Sequence, residues 1–204
     1  MKQLLRGLGL LLILLLVVPV ALAHEPVEGR AGRAEIRFLQ GMIDHHQMAL
    51  DMAHDCLPKA ESEELQTLCQ NVIDAQSAEI EQMVGWLLDW YNIAYTPMSM
   101  MGMMGDMEHG GGHGGHGNAP ATDPAGMMGM MAGFNRLEGV DYEIAWLESM
   151  IDHHDDALHM SERLLTRVLE GAGHAELSTL AQAIIEAQMA EIALMETLIS
   201  ERVG

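Results

Sequence analysis

Histidine pairs flanked by methionine occur twice in this chain, in the phrase Met-Ile-Asp-His-His at 42–46 and again at 150–154. Imidazole nitrogen and thioether sulfur one helical turn apart are donors for soft and borderline metal ions. The likeness runs well beyond the phrase. Residues 42–57 (MIDHHQMALDMAHDCL) match 150–165 (MIDHHDDALHMSERLL), and 65–83 (LQTLCQNVIDAQSAEIEQM) match 177–195 (LSTLAQAIIEAQMAEIALM). Residues kept in both copies of a duplication answer to one shared constraint. The kept set includes Met42, Asp44, His45, His46, Met52, Gln76, Glu79 and Met83. Their counterparts are Met150, Asp152, His153, His154, Met160, Gln188, Glu191 and Met195. An ordinary apolar core does not require such a mixture.

The elements that must position these residues are helices. Phe38, Met42, His45, Ala49, Met52 and Cys56 step by four and three, and Trp146, Met150, His153, Ala157, Met160 and Leu164 repeat the seam. The periodicity predicts helices over 34–57, 63–95, 139–169 and 175–202, with breaks at Pro58 to Ser62 and at Gly171-Ala-Gly173. Each copy therefore reads as an antiparallel hairpin. A hairpin this small buries its own seam poorly, so the expected fold is all-α: two duplicated hairpins closing into one four-helix bundle. Two separate hairpins that each dimerise are the alternative. A simple register places His45 opposite Gln76 and Met42 opposite Glu79, and likewise His153 opposite Gln188 and Met150 opposite Glu191.

Burying imidazole, amide and carboxylate together is costly unless each finds a hydrogen-bond partner or a metal. Two readings stay open. In one, the histidines, Gln76 and Glu79 form a polar layer that fixes register. In the other, His and Met hold a metal while Asp44, Gln76 and Glu79, with Asp152, Gln188 and Glu191, orient the imidazoles. Ferritin-like di-iron sites use Glu-x-x-His, whereas this chain has Met42-x-x-His45 and Met150-x-x-His153. Asp51-x-x-His54 and Asp156-x-x-His159 are not equivalent between the copies. Thioether in place of carboxylate moves the preference from iron to Cu(I), with Ag(I) or Cu(II) as further candidates.

Ten of the 19 methionines fall in 96–138, a Gly-rich stretch without helical pattern that is expected to be flexible unless something binds it. Met100, Met101, Met103, Met104, Met107, Met127, Met128, Met130 and Met131, with His109, His113 and His116, can wrap a soft cation there. A tether of biased composition is the plainer alternative, although long exposed Met runs are readily oxidised. Residues 1–23 read as a cleaved signal peptide: Lys2 and Arg6, an apolar run from Leu8 to Val18, then Ala21-Leu22-Ala23. Cleavage would leave His24 first, on a 24–33 segment expected to be flexible; a frayed end is favoured there over Cu(II) chelation. The mature chain is expected to be secreted or periplasmic, with no later membrane span.

The chain counts 30 Asp+Glu against 10 Lys+Arg, a surface that attracts cations and repels phosphate backbones, so nucleic acid is a poor partner. Cys56 and Cys69 lie 13 apart. Export permits a disulfide, but the counterparts Leu164 and Ala181 suit two small buried positions equally, and the simple register offsets the pair by about one turn.

The phrase Met42-Ile-Asp-His-His46 with Ala49 and Met52, then Gln76-x-x-Glu79-Ile80-x-x-Met83 and Trp86-Leu87, resembles a ferritin-like "domain of unknown function" family of exported His- and Met-rich proteins. Resemblance covers about 34–95 and 139–202. It implies a ferritin-like four-helix bundle, an envelope location, and copper binding with a role in copper resistance. It points to Met42, His45, His46, Met52 and Met83, and to Met150, His153, His154, Met160 and Met195. Met48 adds a thioether in the first copy, but Asp156 stands there in the second, so the halves need not bind alike. The expected function is a non-enzymatic copper buffer or carrier, monomer or homodimer, serving a copper-handling envelope protein. A ferritin-like metal-dependent oxidoreductase and a metal-free interaction module are the alternatives.

Overall fold

The computed structural model describes residues 25–98, 124–168 and 173–204, with only the backbone described for 124–128 and 168. Five helices follow one another: α1 Gly29–Cys56, α2 Glu63–Tyr91, α3 Pro124–Phe134, α4 Gly139–Val168 and α5 Ala175–Val203. No strand occurs among the described residues. α1 packs on α2 and α4 on α5 as hairpins, and α1 against α4 joins the hairpins into an all-α four-helix bundle.

Local chemistry sets the helix ends. The Ser62 hydroxyl accepts a bond from the Leu65 N–H, and Glu63 and Glu64 sit on the positive end of α2. α2 stops at Tyr91 rather than 95 because Asn92 turns left-handed at φ 54° and closes the last turn onto the Leu87 and Leu88 carbonyls. α1 begins at Gly29, so part of the expected flexible N-terminus is helical. There Val27 folds back so closely that a Cβ on Gly32 would lie 1.7 Å from its carbonyl oxygen. Only glycine fits.

Two expectations need correction. The stretch 96–138 is not free of helix, since α3 occupies its end. Proline tolerates a helix start, Met favours helix, and Met130, Met131 and Phe134 pack against the core. Burial overrides the glycines. The hairpin register also lies one turn from the simple one: Cys56 meets Cys69, His46 meets Glu79 and His154 meets Glu191. That shift brings the cysteines to a Cα separation of 6.3 Å, and they form a disulfide. The simple register misjudged how much chain the 57–62 turn uses.

Two apolar clusters fill the bundle. One gathers Met52, Cys56, Cys69, Tyr142, Trp146, Met150 and Met195; the other gathers Phe38, Met42, Met83, Leu87, Trp90, Ala157 and Leu164. Each draws on both hairpins. At each end a buried glutamate ties one hairpin to the start of the other's second helix. Glu143 of α4 accepts from the Glu61 and Ser62 N–H groups at 2.8 and 2.7 Å, and from Arg202 Nε at 2.7 Å. Glu35 of α1 accepts from the His174 N–H and Nδ1, both at 2.7 Å, and from the Tyr91 hydroxyl.

Candidate metal centre

α1 and α4 pack together through the repeated histidines. His45 and His153 face each other, ring centroids 3.7 Å apart and planes 30° from parallel. His46 and His154 follow on each helix, with centroids 6.3 and 6.2 Å from those of their neighbours. None of the four is more than 7 % exposed.

Their hydrogen bonds decide which nitrogens remain available. His46 Nε2 lies 2.6 Å from Glu79 Oε2, and His154 Nε2 lies 2.6 Å from Glu191 Oε2. A carboxylate accepts, so each Nε2 carries a hydrogen, and each Nδ1 is left without a partner. His153 Nε2 donates to the His45 carbonyl at 3.0 Å, leaving its Nδ1 likewise open. His45 makes no ordinary hydrogen bond through either nitrogen. Five buried ring nitrogens thus lack a partner. Burial holds His45 well below the usual imidazole range, reinforced by His153, His46 and His154. His153 is pushed down to about 3, by burial first and then by His154 and His46. Both rings are neutral near pH 7 and free to donate lone pairs.

Sulfur lies on both sides of this layer. Met52, Met150 and Met195 belong to one cluster and Met42, Met83 and half-buried Met160 to the other, so each contains one counterpart of every repeated methionine. Met48 packs against the first cluster, while its counterpart Asp156 is exposed. Among the described residues, no three of His, Cys, Asp and Glu converge where a metal ion could sit. Nitrogen and oxygen alone do not complete a site in this conformation.

The expected supporting residues divide. Glu79 and Glu191 orient His46 and His154. Gln76 and Gln188 are buried but bond no histidine; both Gln76 side-chain polar atoms and Gln188 Oε1 lack partners. The register shift moved them off the rings. Asp44 takes the Tyr95 hydroxyl at 2.6 Å and the Met98 N–H at 2.9 Å, fixing the chain after α2, and Asp152 is exposed. Neither aspartate supports a histidine. Met130 and Met131 are half-buried on the first cluster. Met100, Met101, Met103, Met104, Met107, His109, His113 and His116 lie outside the described residues, as do the side chains of Met127 and Met128 and the 1–23 segment. Glu35 and Glu143 were missed, yet Glu-Ile at 35–36 recurs at 143–144 and could have revealed them.

A duplicated hairpin, closed into a bundle around buried histidines with methionine on either side, defines a class of His/Met-layered helical proteins. The chain belongs to the family described as Domain of unknown function (DUF305), whose model matches residues 35–199. Solved structures agree. "CopM in the Cu(II)-bound form" is 28% identical with a TM-score of 0.59, covering 80% of this chain and 94% of that one. "CopM in the Cu(I)-bound form" is 25% identical with a TM-score of 0.62, covering 83% and 98%. A DUF305 protein from Streptomyces coelicolor is 27% identical with a TM-score of 0.61, covering 84% and 93%. No curated protein matches this chain. No helix among the described residues is long and apolar enough to cross a membrane.

Proposed function

We propose that this is an exported copper-binding protein, taking Cu(I) foremost and Ag(I) or Cu(II) as well, that buffers, detoxifies or transfers copper without catalysing a reaction. One observation carries the reading: five partnerless ring nitrogens are buried between two groups of methionines, although neutral imidazoles left so lose hydrogen-bond energy with no return in stability. A polar layer kept only for register would satisfy its own nitrogens. Relatives with the same fold have been solved with Cu(II), Cu(I) and Ag bound. Neutral imidazole and thioether match soft monovalent ions, and Glu79 and Glu191 raise the basicity of the rings they orient.

The acidic surface would concentrate cations around the mature chain, Met and His of the linker would capture them, and the bundle would hold them. The leader-like residues 1–23 and the Cys56–Cys69 disulfide support an oxidising location, secreted or periplasmic, with another copper-handling envelope protein as recipient. An anaerobic Cu(I) competition titration on the mature protein tests this, beside a version lacking 99–121 that keeps α3. The shortened protein should lose part of its capacity and retain the bundle site. Absence of Cu(I) binding by both would refute the proposal.

A further inference from the structure

The bundle's approximate two-fold makes two equivalent seats between α1 and α4, and among the described residues one of them is filled. In the filled seat, Phe134 of α3 packs edge-on to Tyr142 at 5.9 Å, Met130 and Met131 cover the same cluster, and Lys59 Nζ donates to Asn135 Oδ1 at 2.8 Å. The other seat is an open groove of about 210 Å³ lined by Ala34, Arg37, Phe38, Met160, Arg163, Leu164 and Arg167. That is smaller than the roughly 300 Å³ at which small-molecule pockets begin, and suits a helix face or short segment instead. Position by position, Ala34 stands where Tyr142 stands in the filled seat, Arg163 replaces Asp55, and Arg37 replaces Ala145. The open seat is roomier and far more basic. Three arginines in one groove are unexpected in a chain of net charge −20.

We infer that this groove docks residues 100–108 of the same chain. The phrase Met-Met-Gly-Met-Met at 127–131, part of which lies on the filled seat, also occurs at 100–104. The residues C-terminal to the two phrases differ in charge. Gly105-Asp106-Met107-Glu108 supplies two carboxylates after the first, whereas Ala132-Gly133-Phe134-Asn135-Arg136 supplies none after the second. The acidic copy complements the basic seat, and thioethers complement its floor of Phe38, Met160 and Leu164. The tether is short enough. Met98 is pinned to Asp44, which lies two turns from Arg37 on the same face of α1, about 10 Å along the axis. An extended chain covers that in about three residues. Ile93 and Tyr95 already pack on the cluster that contains Phe38 and Leu164.

Docking requires no metal, so the test uses the full mature protein with a chelator present, and its result is independent of copper binding. Hydrogen exchange read by mass spectrometry should show 99–108 protected at least tenfold. Charge reversal at Arg37→Glu, Arg163→Glu and Arg167→Glu should abolish that protection while leaving 124–134 protected and helix content unchanged. Asp106→Lys with Glu108→Lys should do the same without touching the bundle, and combining both sets should restore protection. Unprotected exchange of 99–108 in the unaltered protein would overturn the inference. So would protection that survives charge reversal, or that depends on protein concentration, which would assign the groove to a second copy.

Discussion

At one end of the bundle Glu143 gathers two backbone N–H groups, the Ser62 hydroxyl and the Arg202 guanidinium; at the other Glu35 gathers His174 and Tyr91. Both glutamates descend from one repeated position, yet one meets a permanent cation and the other an imidazole stacked 3.8 Å from Trp90. The first end also carries the disulfide and α3, which have no counterpart at the second among the described residues. Between them the histidine layer is nearly the same from both sides, down to the 2.6 Å carboxylate contacts. Stability can be supplied by different means at each end, so the ends have drifted. The centre has not, and the centre holds the open donors.

The ends should therefore respond unequally to equivalent changes. Glu143→Ala strands Arg202 and two N–H groups and should cost about 3–5 kcal/mol in urea unfolding. Glu35→Ala removes the acceptor from one backbone N–H, an imidazole and a hydroxyl but from no permanent cation, and should cost about 1–3 kcal/mol. Equal losses would break the contrast. Cys56→Ser with Cys69→Ser should cost about 3 kcal/mol by releasing the loop constraint, again at one end only.

A smaller effect sharpens the view of the centre. Burial keeps His45 and His153 neutral when folded, His153 down to about 3. Unfolded imidazole takes up its proton at about 6.5. The metal-free protein should thus have full stability above about 6.5 and lose it as pH falls toward 3. Glu143 adds to the loss. Burial alone would raise its carboxyl, but bonds from Ser62, Arg202 and Glu61 outweigh this and hold it below the ordinary range. Its contribution disappears as pH falls through that lowered value. Urea midpoints across this range check the prediction, and His45→Asn with His153→Asn should flatten the upper part of the curve.

Much of this was legible in the sequence. Helical periodicity and the duplication define the two hairpins, and the kept His, Glu and Met residues mark the layer. The register was not legible, because the length a turn consumes depends on its backbone path. Its error of one turn set Gln76 rather than Glu79 opposite the histidines, and left the cysteine pairing open. α3 was hidden for a different reason: its glycines erase periodicity, and only packing by Met130, Met131 and Phe134 makes it helical. The clamps Glu35 and Glu143 were visible as a repeated pair but lay outside the metal-like pattern.

The most direct measurement is X-ray absorption at the copper edge on the mature protein lacking 99–121, loaded anaerobically with one equivalent of Cu(I). Mixed sulfur and nitrogen coordination is expected, with the nitrogen contribution lost in His45→Asn with His153→Asn. Copper that fails to bind, or whose surroundings ignore those substitutions, would contradict a metal centre in the bundle.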